Sequence, residues 1–288
     1  MDQDLQDIAN KIIKYLDQKN IQYCDVRADQ QIKNSALIEN NDIEYIKNNE
    51  NKGIGVRLIK NGTWSFCSIT NPNSFDKIKN ILDNTIKNLD YKNIKNKKIK
   101  LHSNPANKRE INFPVLKKTD IEELIKTGLE CNKIISSTPK IIKSITHASH
   151  TTNSKYFVNS EGSEILQNFT DVIMEMVATA HESGQTQSVN ITEGGRGGLE
   201  LITNKIQQSA KEISKKASEL IYAKPVKEEK ATVVMNPDFV SLLTHEILGH
   251  PSEADRVLGK EMAWAGGAWW KGKIGEKIGS EKLNVFDD

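Results

Sequence analysis

Residues 55–66 read Gly-Val-Arg-Leu-Ile-Lys-Asn-Gly-Thr-Trp-Ser-Phe, two β-rich runs joined by Asn61-Gly62. Asn-Gly supplies the two positive-φ positions that a two-residue hairpin needs, so this stretch is committed to antiparallel pairing. Residues 23–28 and 43–46 carry the β-branched and aromatic side chains of further strands. On either side the apolar period lengthens. Leu5, Ile8, Ala9, Ile12, Ile13 and Leu16 repeat at the spacing of a helix with one apolar stripe, and Phe75, Ile78, Ile81, Leu82, Ile86 and Leu89 do so again. A hairpin flanked by amphipathic helices predicts an α+β unit over residues 1–92.

Residues 93–112 are rich in Lys and Asn, contain Pro105 and hold few large apolar groups, which predicts a solvated linker. Ile121, Leu124, Ile125 and Leu129 predict a helix with Thr119 or Asp120 as its cap. After Pro139, short strands are expected over 141–148, 156–159, 164–169, 172–180 and 187–191, with Glu161-Gly162 as a turn. A helix over about 200–222 completes a strand-rich second unit, 113–224. Lys224-Pro225 and Lys227-Glu228-Glu229-Lys230 separate it from residues 225–288, where 231–235 (Ala-Thr-Val-Val-Met) reads as a short buried strand. The run Gly194-Gly195-Arg196-Gly197-Gly198 invites a phosphate-loop reading. No Lys-Ser or Lys-Thr follows it, however, and Glu200 stands where the third glycine of G-x-G-x-x-G belongs, so a tight turn or a bulge in a sheet is the better assignment.

Forty Lys plus Arg against 38 Asp plus Glu leave a net charge of +2, too small a field to argue for direct nucleic-acid or anionic-membrane binding. The three cysteines, Cys24, Cys67 and Cys131, are widely spaced and suggest neither a disulfide framework nor a cysteine zinc site. The N-terminus lacks a basic region followed by an apolar run, and no apolar stretch approaches the roughly 20 residues that span a bilayer. These features predict a soluble cytoplasmic protein.

The chemistry concentrates in His245-Glu246-Ile247-Leu248-Gly249-His250. Asn236-Pro237-Asp238 is a helix start, with Asn as cap, Pro at the first turn and an acid at the positive end of the dipole. Phe239, Leu242, Leu243 and Ile247 then form a stripe expected to be buried. At about 100° per residue, His245, Glu246 and His250 project at about 0°, 100° and 140°, all in one sector. Histidines five apart reach one ion only if the helix widens locally or breaks. Gly249 and Pro251 predict a break at His250. Glu246 lies angularly between the imidazoles, where it can take a proton from a zinc-activated water and pass it to a leaving amine. By composition such a window occurs by chance about 0.01 times in a chain like this one. Glu253 and Asp255 have the oxygen chemistry to support a ligand from outside the coordination shell. Trp264, Trp269 and Trp270 surround Gly266-Gly267, and Trp264, Gly266 and Gly267 are candidates for a peptide groove. His147, His150 and His181 fall on predicted strands, where a hydrogen-bonded histidine is the simpler reading.

The longer stretch Thr244-His245-Glu246-Ile247-Leu248-Gly249-His250-Pro251-Ser252-Glu253-Ala254-Asp255-Arg256, with Ala263-Trp264-Ala265-Gly266-Gly267 and Asn284-Val285-Phe286-Asp287-Asp288, resembles the TldD branch of the TldD/PmbA metallopeptidase family. Tyr23-Cys24-Asp25-Val26-Arg27, Gly53-Ile54-Gly55-Val56-Arg57, Phe157-Val158-Asn159-Ser160-Glu161-Gly162 and the glycine cluster at 194–198 extend the likeness over nearly the whole chain. The resemblance implies a cytoplasmic zinc peptidase of unfolded or extended peptides, paired with a PmbA-type (TldE) subunit or with a second copy. It also implies kinship with proteins described as modulators of DNA gyrase. By the same resemblance His245 and His250 are zinc ligands, Glu246 is the general base, and a third ligand, a cysteine, is expected beyond Asp288. The expected architecture is therefore α+β, with antiparallel sheets and packed helices. Two complete units are followed by the truncated start of a metallopeptidase unit over 225–288, and the 288 residues alone are expected to be inactive. The rival reading is a non-catalytic regulatory or scaffold subunit of such a complex, against which Glu246 speaks, because a structural metal needs no carboxylate between its ligands.

Overall fold

In the computed structural model, β1 (Tyr23–Glu39) and β2 (Asp42–Lys60) pair antiparallel across Asn40-Asn41, whose φ angles are 50° and 73°. Asn61-Gly62, at φ 54° and 73°, turns β2 into β3 (Thr63–Thr70), the hairpin its sequence requires. The structure describes residues 1, 3–91, 101–202, 205–259, 262 and 266–286. The chain forms two units, Met1–Lys224 and Pro225–Asp288.

In the first unit one sheet, antiparallel but for β4, is completed by β4 (Lys108–Asn112), β5 (Ile141–Asn159), β6 (Glu164–Glu182) and β7 (Gln185–Arg196), in the order β3-β2-β1-β5-β6-β4. β4 lies parallel to the first residues of β6, and β7 runs antiparallel to the rest of that strand. Strands from both sides of the expected linker therefore share a sheet through the β1–β5 pairing. Residues 93–100 of that linker lie outside the described residues, and its described end carries β4.

The even-numbered side chains of β1 are buried towards both ends of the strand. Val26 and Ala28 sit in a core with α1 (Gln3–Asp17) and α2 (Phe75–Tyr91), and Ala36 and Ile38 are buried on the same face further along. There a second core forms from Ala148, Val172, Met174, Met176 and Ala178 beneath α3 (Ile121–Ser136) and α4 (Lys205–Leu220). The alternation buried-in, polar-out is what an antiparallel sheet covered on one face demands.

Between the two cores the strands are polar, and this is where the expected short strands prove to be single long ones. Residues 141–148 and 156–159 are both part of β5, and 164–169 and 172–180 both part of β6. Side-chain amides bridge the polar rungs. The Gln31 amide donates to Asn153 at 3.0 Å, Asn48 to Asn34 at 2.6 Å, and Asn153 to Asp171 at 3.0 Å. Apolar periodicity vanishes in these rungs, but backbone pairing does not.

Asp120 is the cap of α3, accepting from the Glu122 amide at 2.9 Å. The glycine cluster is a close backbone approach rather than a ligand loop. Gly194 sits at φ 118° opposite Ile173, where a Cβ would lie 2.0 Å from the Val172 carbonyl oxygen.

The second unit contains α5 (Pro237–Thr244), a widened turn over His245–Gly249, α6 (His250–Ser252) and α7 (Ala254–Val257). Two expectations fail here. Residues 231–235 form no strand, with Val233 and Val234 exposed, and the stripe Phe239, Leu242 and Ile247 is also exposed. A strand needs a hydrogen-bonded neighbour and an amphipathic helix needs an apolar surface. Among the described residues of this unit only Pro251 and Ala268 are buried, so neither need is met within it. Among the described residues no helix is long and apolar enough to cross a membrane.

Candidate metal centre

The helix that carries the candidate ligands begins as its sequence dictates. The Asn236 side chain accepts from the Phe239 amide at 2.9 Å, Pro237 occupies the first turn, and Asp238 sits at the positive end of the dipole. Regular α geometry lasts to Thr244. The next five residues close hydrogen bonds one residue wider, with the His250 amide donating to the His245 carbonyl. Widening, not breakage, solves the five-residue spacing. Gly249 and His250 both keep helical angles, φ/ψ −61°/−63° and −57°/−46°, and the chain turns extended only at Glu253. The expected break at His250 is thus corrected. Pro251 disfavours helical geometry in the residue before it, but the surrounding turns hold His250 helical.

The widened turn puts the His245 and His250 rings 4.4 Å apart, centroid to centroid, at 68°. Glu246 joins them, and one ligand atom from each of the three residues lies within 4.8 Å of the others. Glu246 Oε2 is 3.9 Å from His250 Nε2. The opposite ring nitrogen, His250 Nδ1, bonds Glu253 Oε1 at 2.7 Å, and Glu253 Oε2 pairs with Arg256 Nε at 2.9 Å. The contact with Glu253 engages Nδ1 and leaves Nε2 as the ring nitrogen on the Glu246 side. Two imidazoles and a carboxylate are the donors a borderline divalent cation such as zinc takes, and Glu253 stands where the outer partner of a ligating histidine stands.

The other sequence candidates fall in various places. Asp255 accepts from the Arg256 amide at 2.9 Å, within its own turn. Trp264 lies outside the described residues. Gly266 turns at φ 76°, and a Cβ on Gly267 would meet Met262 Sδ at 2.8 Å. His147, His150 and His181 lie on β5 and β6 of the first unit. Burial pulls His147 below the ordinary imidazole value, helped by Lys33 and opposed by Glu175, and burial also lowers His150. His181 Nδ1 is 2.8 Å from Thr186 Oγ1. Two contacts escape a reading of the sequence. Arg256 reaches Glu253, a pairing that the i,i+3 spacing could have suggested. The Trp269 indole N–H donates to the Ile247 carbonyl at 2.9 Å, across 22 residues.

Comparison with known proteins covers most of the chain. Residues 24–89 match the family model of PmbA/TldA metallopeptidase domain 1, residues 114–223 that of the central domain, and residues 228–288 that of the C-terminal domain. A metalloprotease of Methanocaldococcus jannaschii is 31% identical over 271 residues, which are 92% of this chain and 58% of that protein. A zinc metalloprotease TldD homolog of Saccharolobus solfataricus is 25% identical over 280 residues, 96% of this chain and 59% of that protein. The chain thus spans less than two thirds of the length of these relatives. Among solved structures, a protein described as a modulator of DNA gyrase from Bacteroides thetaiotaomicron superposes with a TM-score of 0.75 at 16% identity, covering 89% of this chain and 59% of its own. TldE from Thermococcus kodakarensis gives 0.59 at 15% identity, covering 73% and 47%. Both share the fold.

Proposed function

We propose, from the premise that this chain belongs to the TldD/PmbA metallopeptidase family, that residues 225–288 carry the first half of a zinc-peptidase centre. The observation that carries this reading is the convergence of His245, Glu246 and His250 in the widened turn, each offering a ligand atom within 4.8 Å of the others. His245 and His250 would hold the metal, with Glu253 and Arg256 orienting His250. Zinc bound there would supply Lewis acidity, polarising a scissile carbonyl and lowering the pKa of water to roughly 7. Glu246 takes the proton as the general base and returns it to the departing amine. Asp255 is assigned to the support of the site, and Trp264, Gly266 and Gly267 are assigned to the peptide groove.

Zinc normally takes three protein ligands in a catalytic site. The third is assigned to sequence that the longer relatives carry, and the 288 residues alone are expected to bind zinc weakly and to hydrolyse nothing. The name of the Saccharolobus relative supports zinc as the metal. The three matched segments support a division of the chain near residues 93–112 and near 225. Substrates are unfolded or extended peptides in the cytoplasm, and the partner is a TldE-type subunit or a second copy. The TldE fold neighbour supports the former.

The test is a protein extended to the length of its relatives, assayed on an unstructured peptide with and without zinc, beside its Glu246→Gln form. Metal-dependent cleavage lost in the variant supports the reading. Equal turnover by both sinks the assignment of Glu246, and zinc bound without cleavage by either favours the regulatory-subunit alternative.

A further inference from the structure

The widened turn is unusual backbone, rare and found mostly as a single turn, so what holds it open bears on the site it carries. The fold supplies a specific candidate. Ile247 lies at the centre of the turn, two residues after His245 and three before His250. In a regular α-helix its carbonyl accepts from the amide four residues on, but that residue is Pro251, which has no N–H. The Trp269 indole donates to this carbonyl at 2.9 Å. The contact lies beside the unit's buried spots, since Pro251 follows His250 directly and Ala268 precedes Trp269.

From this geometry we infer that Trp269 is a positioning residue for the metal centre, its indole N–H holding the Ile247 carbonyl so that the turn stays wide and His245 and His250 face one ion. Pro251 and Trp269 act as a pair. Pro251 withholds the backbone donor that would draw the turn back to α geometry, and Trp269 provides a substitute from outside the helix. Loss of the substitute leaves the turn free to tighten, and tightening swings two histidines five apart away from each other. The inference rests on the reading of His245 and His250 as ligands. Its first observable, the integrity of the turn, does not.

The experiment compares the purified chain with Trp269→Phe, which keeps an aromatic ring and loses the N–H, and with Trp270→Phe as a control. Amide hydrogen exchange at His250, whose bond to the His245 carbonyl closes the turn, reads the geometry without metal. Titration with cobalt(II), followed by its visible absorption, reads ligand placement. Trp269→Phe is expected to speed exchange at His250 and to weaken cobalt binding, each by about fivefold, the effect of one ordinary hydrogen bond, with helix content by circular dichroism unchanged. Trp270→Phe is expected to change neither. If Trp269→Phe leaves both at the parent values, the inference is overturned while the metal reading stands. If the parent binds no cobalt but the variant exchanges faster, the turn-holding role survives and the metal reading fails. Faster exchange together with unchanged cobalt affinity overturns the role in ligand placement.

Discussion

Replacing Glu253 with alanine is expected to weaken zinc binding about tenfold while leaving both proposed ligands in place. The 2.7 Å contact between His250 Nδ1 and Glu253 Oε1 fixes the ring's rotation, so that Nε2 is the nitrogen presented to the metal. A hydrogen bond to a charged group contributes roughly 1.5–3 kcal/mol. The His250 and Glu253 side chains are 30% and 42% exposed, so water competes for the bond and the lower end applies, which corresponds to about tenfold in affinity. Alanine also frees Arg256 from its 2.9 Å pairing, and circular dichroism of the variant checks that the short helices survive. The assay is calorimetric titration of zinc into the parent, Glu253→Ala and Glu253→Gln, the last retaining an acceptor oxygen and expected to recover most of the loss. Zinc binding by Glu253→Ala with the parent's affinity would refute the reasoning, because it would mean that the His250–Glu253 bond contributes nothing to the site.

Further outcomes follow from other parts of the molecule. In the protein extended to its relatives' length, Glu246→Gln is expected to retain zinc by elemental analysis and to lose peptide turnover by about 10² to 10⁴, the usual contribution of a general base. Gly194→Ala drives a Cβ to 2.0 Å from the Val172 oxygen at φ 118°, and urea unfolding is expected to show a loss on the order of 3 kcal/mol or more. The Glu200 carboxylate accepts from the backbone amides of Gly198, Lys117 and Leu116 at 2.8, 2.8 and 3.2 Å. Desolvation pushes its pKa up, but these bonds outweigh it and hold the group down to about 2, against an ordinary 4.5. A folded value below the unfolded one stabilises fully above about pH 4.5, and the contribution fades as pH falls toward about 2. Glu200→Gln should therefore reduce stability at neutral pH and flatten its acid dependence, as denaturant titrations at neutral pH and at about pH 3 would show.

Much of the fold is legible in the residues because local chemistry and tertiary need coincide. Asn61-Gly62 allows only a hairpin, and the stripes of α1 and α2 end in the core they were expected to build. The strands were harder to read. Gln30, Gln31, Asn34 and Asn48 erase the apolar alternation, because amide pairs such as Asn48–Asn34 replace burial between the two cores, and no single-strand pattern reports a cross-strand bond. The second unit misleads for the opposite reason. Val233, Val234, Phe239 and Leu242 carry a clear signal of burial, but burial is a property of two surfaces, and the described residues of this unit supply one. At the site, residue types and spacing pointed to the three chemical groups. The means of closing a five-residue gap could not be read from Gly249 and Pro251 alone. Proline before a helix end favours breakage locally, whereas the contact that accompanies widening comes from Trp269, 22 residues away.

The central claim is that His245 and His250 converge on one metal ion. Its most direct measurement is the zinc K-edge X-ray absorption spectrum of the purified chain loaded with one equivalent of zinc, beside that of His245→Ala. The account predicts scattering from two imidazoles at about 2.0–2.1 Å in the parent and from one in the variant. A parent spectrum without imidazole scattering, or one that His245→Ala leaves unchanged, would contradict it.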